Sequence, residues 1–133
     1  MHTLNFFTVD DLNFLKATGR VSGATAAIGT VLGIKPILWG DLTGHITARS
    51  KVRGRKKSLD ALAELYRQHL PEDRQVDMLF ISHGDCIEDA QALADKLKAI
   101  HEPKELIICP HEPFTGSHVG PGMLAFFFQG KHR

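Results

Sequence analysis

The sequence predicts an α/β fold, with helices packed on a mostly parallel sheet. Two observations predict it. From Leu59 onward, segments with apolar residues at helical spacing alternate with short apolar runs. Strand–helix–strand–helix–strand order implies parallel neighbours joined by right-handed crossovers. The chain, at 133 residues and 43% hydrophobic, also has the length of one domain and enough apolar side chains for a real core.

Each element has its own signal. Thr8 and Asp11 form a capping-box pattern that opens a short helix, closed by Gly19. Ser22 caps a second helix, GATAAIGTVL, ended by Gly33. That helix is made of small and apolar residues, so burial on more than one side is expected. ILWG and HITARSK read as two strands joined by the turn Asp41-Leu42-Thr43-Gly44. Leu59, Leu62, Ala63, Tyr66 and Leu70 share a helical face, and Pro71 stops that helix. A strand from Met78 to Ser82 follows. The next helix begins after Asp85, whose partner Glu88 completes another capping box. Its inner stripe is Ala90, Leu93, Ala94, Leu97 and Ile100. Leu106 to Cys109 is a strand, and Met123 to Gln129 the last one. Alternation along that strand sends Phe126 and Phe128 to one face and Phe127 to the other. No internal repeat, low-complexity tract or linker interrupts the chain.

Composition excludes several classes of function. Sixteen basic residues against fifteen acidic ones argue against a nucleic-acid-binding surface. Two cysteines, Cys86 and Cys109, do not make a disulfide framework. Asp10 and Asp11 come early, with no apolar signal-peptide core, and the longest apolar runs are too short to span a bilayer. A cytoplasmic domain without stable membrane insertion is the expectation.

Three patterns carry chemistry. The segment GSHVGPG, residues 116–122, sets His118 among glycines and Pro121. Gly116, Gly120 and Gly122 permit unusual φ and close approach of a ligand to the backbone, while Pro121 stiffens the turn. Backbone N–H groups and the His118 imidazole can then converge on an anionic head group, although a plain tight turn fits the same residues. His83-x-x-Cys86 and Cys109-x-His111 offer zinc-ligand types at two strand ends, but with C-x-H closer than usual ligand spacing. Structural thiols and no metal are the better reading. The basic run KVRGRKK, residues 51–57, leads into a helix N-terminus, where cations oppose the helix dipole unless an anion or acidic partner offsets them. Phosphate contact, protein docking and a solvated loop all fit that run.

FTVDDLNFLKATGRVS, IKPIL, KVRGRKK, ISHGD and SHVGPG, in this order and across nearly the whole chain, resemble the C-terminal half of DegV-family proteins. The resemblance implies a bacterial fatty-acid-binding protein of two domains with the lipid between them. It also implies a role, in some members, as the lipid-presenting subunit of a fatty acid kinase. It implies that residues 1–133 form a single two-layer α/β domain, a mixed mostly parallel sheet with helices packed on it, and that the family's N-terminal domain is absent. His118 matches the histidine of the family's H-x-G-P-G motif, which helps hold the fatty acid carboxylate, with Gly120 and Gly122 in the same motif. Arg20 matches the G-R-[IV] segment near the domain junction, and Arg53 and Arg55 match a basic segment that faces a kinase subunit.

The resulting expectation is a long-chain fatty acid carrier with no chemistry and no cofactor of its own. Candidate apolar walls are Ala24, Ala27 and Ile28 on the small-residue helix and Leu124, Phe126 and Phe128 on the last strand, with ordinary core the competing role. The alternative is enzymatic: a domain like the substrate domain of dihydroxyacetone kinase, in which His118 engages a small ketone. A third expectation is homo-oligomerisation through the surface that the absent domain would cover.

Overall fold

The computed structural model describes residues 2–9, 34–40, 46–73, 75–110 and 122–130. Six strands and two helices follow one another: β1 (His2–Thr8), β2 (Ile34–Gly40), β3 (Ile46–Arg53), α1 (Arg55–Gln68), β4 (Met78–His83), α2 (Ile87–Ile100), β5 (Glu105–Pro110) and β6 (Leu124–Gly130). The strands form one mixed sheet in the order β3-β2-β1-β6-β4-β5. The fold is therefore α/β with helices packed on a mixed sheet, as the sequence predicts.

The parallel share of that sheet is a correction. Only β4 and β5 pair parallel, joined by the α2 crossover, whereas the other four pairings are antiparallel. The reason lies at the two ends of the chain. β6 inserts between β1 and β4, antiparallel to both, and β1 is a strand that the sequence reading did not contain. Thr8 ends that strand, and its hydroxyl donates to the Pro36 carbonyl at 2.8 Å; Asp11, its expected capping partner, lies outside the described residues. The two helices expected between Thr8 and Gly33, with Ala24, Ala27 and Ile28, lie outside the described residues, as does the turn at 41–44.

Phe7, Leu38 and Ala125 are buried on one face of the sheet, while the larger cluster of buried residues lies on the face beneath both helices. Leu59, Leu62, Ala63 and Tyr66 of α1 and Ala90, Leu93, Ala94 and Leu97 of α2 are buried there, and Leu70 follows just past α1. They cover Leu4, Phe6, Leu79, Ile81, Leu124, Phe126 and Phe128. Strand alternation holds on β6. Phe126 and Phe128 stack at 5.8 Å and meet the Tyr66 ring edge-on, while Phe127 pairs with Phe80 on the other face. Leu124, Phe126 and Phe128 thus take the competing role of core residues under the helices. Tyr66 donates its buried hydroxyl to the His101 carbonyl at 2.8 Å, which satisfies its one polar group. Lys96 pairs with Asp60 at 2.7 Å and links the outer faces of the two helices.

Candidate functional site

The pairings place β1, β3, β4 and β5 in one direction and β2 and β6 in the other. Four strands therefore end at one edge of the sheet, and β6 starts there. Both helices also start there, because each follows a strand that ends on it. α1 begins one residue after β3, past Gly54, and α2 begins after Gly84, Asp85 and Cys86. Two positive helix ends consequently face this edge. Both flanks of the 111–121 segment, Pro110 and Gly122, belong to it as well.

The connection after β4 is tied to the start of β6. Gly84 N–H donates to the Met123 carbonyl and Gly122 N–H donates to the Gly84 carbonyl, both at 2.7 Å. These two bonds extend the β4–β6 ladder past the His83–Leu124 pair. Gly122 has φ +85°, a conformation that side chains other than glycine rarely adopt. Asp85 has φ +58°, which aspartate tolerates better than most residues.

That turn corrects the expected capping box. Cys86, not Asp85, occupies the N-cap of α2, and no side chain caps the helix. The left-handed Asp85 rotates the chain by one position, and the Cys86 N–H is taken by His83 Nδ1 at 3.1 Å. Acceptance at Nδ1 leaves the ring proton on Nε2. The His83–Cys86 spacing therefore closes a turn. Cys86 Sγ donates to the Met123 carbonyl at 3.3 Å. Burial pushes this thiol above its ordinary range, the Arg55 charge opposes that shift, and the Asp89 charge adds to it. A protonated, structural thiol follows. Among the described residues no three His, Cys, Asp or Glu groups gather as a metal-ligand set.

Arg55 joins these pieces. It is the first residue of α1, and its side chain is only 21% exposed. Nε donates to Asp89 Oδ2 at 2.9 Å, and Nη2 donates to the Gly122 carbonyl at 2.6 Å, with Cys86 Sγ at 3.5 Å. The dipole conflict at the basic run is offset here. No acidic residue lies in the first turn of α1, but Asp89 in the first turn of α2 supplies the countercharge. One carboxylate thus serves its own helix start and the cation at the neighbouring one.

The predicted site residues divide into three groups. Gly122 and Arg55 meet at the sheet edge. Arg53 ends β3 with an exposed side chain, near the exposed Lys51, Lys56 and Lys57. His118, Gly120 and Arg20 lie outside the described residues, as does His111. Sequence reasoning missed the parts played by Gly84 and Asp89. The available signal was the acidic pair Glu88-Asp89, which opens the second helix where the basic run opens the first.

A family model described as "Uncharacterised protein, DegV family" matches residues 1–131. The chain belongs to the DegV family. It is 42% identical over 127 residues to a DegV domain-containing protein of Clostridium perfringens, covering 95% of this chain and 43% of that relative. Among solved structures it resembles a fatty acid binding DegV family protein from Streptococcus agalactiae. That match has a TM-score of 0.82 at 32% identity and covers 98% of this chain and 45% of the other. A DegV family protein from Eubacterium eligens, loaded with heptadecanoic acid, matches with a TM-score of 0.83 at 26% identity, over 97% and 46% of the two chains. The chain thus spans less than half the length of these DegV proteins. Among the described residues no helix is long and apolar enough to cross a membrane.

Proposed function

We propose that this chain is the C-terminal half of a DegV-type carrier of long-chain fatty acid, a binding domain without chemistry of its own. The observation that carries the reading is the corner at Gly122, which brings the end of the GSHVGPG segment to the sheet edge where two helices start. His118 holds the carboxylate in this reading, with Gly120 and Gly122 shaping the backbone around it and Arg20 near the junction with a further domain. The other wall of the lipid site belongs to that domain. About a dozen methylenes at roughly 0.8 kcal/mol each offer on the order of 10 kcal/mol before the costs of binding, so the head group needs positioning more than strength.

Docking to a kinase subunit falls to the basic segment. Arg53 presents its charge directly, with exposed Lys51, Lys56 and Lys57 beside it, whereas Arg55 holds the segment in place from within. A cytoplasmic carrier that meets a soluble kinase, which supplies the phosphoryl chemistry, completes the proposal. Met78 and Ile107, 40% and 38% exposed, mark an uncovered apolar region through which isolated chains would self-associate.

The test is native mass spectrometry of the full-length protein that contains this chain, followed by lipid extraction. A retained long-chain fatty acid, weakened by His118→Ala, is expected. A full-length protein with no lipid, even after incubation with heptadecanoic acid, overturns the carrier reading. Retention unchanged by His118→Ala removes that residue from the site.

A further inference from the structure

We propose that the β3 edge of the sheet docks an extended, carboxylate-rich segment of a partner protein, with Arg49 as its anchor. The proposal rests on the docking role given above to the basic segment and names the chemistry of the partner; lipid binding does not enter it.

β3 borders the sheet, so one side of its backbone has no neighbour among the described strands. Its sequence, ITARSKVR, carries three cations and no acidic residue. Arg49, Lys51 and Arg53 are exposed, and none has a carboxylate partner among the described residues. Plain alternation would set all three on one face. The register prevents this. Ile37 pairs with Ser50 and Leu38 with Ala48, so Arg49 is the extra residue of a bulge. Lys51 and Arg53 flank Val52, which packs on the core, and therefore face away from the helices. Arg49 turns to the helix side, where its guanidinium lies 5.5 Å from the Trp39 ring and 5.8 Å from the Phe6 ring. Those two rings stack on each other at 6.4 Å. A bulge that aims a cation onto an aromatic platform fixes the fork before any ligand arrives, which lowers the ordering cost of binding.

A row of cations ordinarily keeps a sheet edge from pairing with stray strands. The same row selects one kind of strand. A neutral or basic segment leaves the charges unanswered or repelled. A segment with carboxylates on both faces meets Arg49 on one side and Lys51 and Arg53 on the other, while its backbone completes the ladder. Lys51 and Arg53 are two residues apart, about 7 Å along a strand, which is the repeat of an extended peptide. A phosphate surface has the charge but no backbone to pair with the edge.

Binding is measured by fluorescence anisotropy on the full-length protein that contains this chain. The probe is a labelled peptide of repeated Glu-Glu-Thr-Thr, which sets carboxylates on both faces of a strand. Arg49→Gln should raise its Kd about tenfold, and Arg49→Lys about threefold, because lysine keeps the charge without the planar fork. Full N-methylation of the peptide keeps every carboxylate but removes the backbone donors, and should also raise Kd about tenfold. Lys98→Gln, at an exposed cation of α2, should leave Kd within about twofold. A wild-type protein that does not bind the peptide, a Kd indifferent to Arg49→Gln, or equal affinity for the methylated peptide each overturn the proposal. So does stronger adsorption to phosphatidylserine vesicles with the same dependence on Arg49, which assigns the edge to a membrane. Should Arg49→Gln not fold, the lysine variant and the methylated peptide carry the comparison. A double variant, Lys56→Gln with Lys57→Gln, separates the two readings. Binding lost there but kept in Arg49→Gln removes the β3 edge and leaves docking at the basic segment standing.

Discussion

Gly54 offers a clean measurement of what the junction between β3 and α1 costs to build. Its backbone sits at φ +90° and ψ 155°, in the mirror-image extended region that is nearly reserved for glycine. A Cβ added there meets nothing within 4 Å, so steric collision with neighbours is removed from the account. Gly54→Ala should therefore report backbone strain alone, about 1–3 kcal/mol. Reduced freedom of the unfolded chain offsets roughly 0.4–1 kcal/mol of that. A net loss of about 1–2 kcal/mol corresponds to a Tm fall of roughly 3–10 °C for a domain of this size. Urea titration and thermal melts, followed by circular dichroism, measure both quantities. The Gly54 carbonyl accepts the first bond of α1, from Ser58 N–H at 3.2 Å, so a chain that relieves the strain by turning this peptide would also fray the helix start. An alanine variant as stable as the wild type would refute the reasoning, because no contact exists to compensate.

Other outcomes follow from packing and titration. Phe126→Ala should cost about 3–5 kcal/mol in denaturant titration, since its ring is sealed between Phe6, Tyr66 and Phe128, whereas Phe127→Ala on the half-buried face should cost clearly less. Tyr66→Phe strands the His101 carbonyl and should lower stability by about 0.5–1.5 kcal/mol in the same assay. For Cys86 the folded-state pKa is raised, so its stabilising contribution is fully present below the ordinary thiol value of about 9 and declines as pH climbs through the folded pKa. Stability measured from pH 8 to 11 should fall less steeply in Cys86→Ser than in the wild type, and equal slopes would remove the thiol from the alkaline response.

The sequence revealed the regular part of this molecule and little of its corners. Helical spacing located α1 and α2 because each buries one stripe, and β-branched or aromatic runs located β2 to β6. β1 escaped because the reading began at the capping pattern of Thr8 and Asp11 and passed over the residues before it, although Thr8 itself ends a strand and its hydroxyl donates to Pro36. The alternation of Leu4 and Phe6 with Asn5 was the signal for a strand. Sheet direction escaped for a different reason: local pattern fixes which residues face inward, not which strands become neighbours, and β6 joined β1 across the length of the chain. The Gly122 corner was half legible. Its glycine announced a special backbone, but the partner was Arg55, read as an outward charge because its countercharge Asp89 lies on another helix.

The insertion of β6 has a consequence for how the molecule comes to exist. β1, β2 and β3 form one ribbon, β4 and β5 form another, and among the described strands β6, residues 124–130, is the one that pairs with both. During vectorial synthesis each ribbon keeps a raw flank until residues 124–130 are released. Closing a loop of this span costs about 4 kcal/mol of chain entropy, so the closing event is slow and all-or-none. A nascent chain halted before Leu124 would expose two sticky borders at once, which makes the late-arriving phenylalanine strand the guard against premature aggregation.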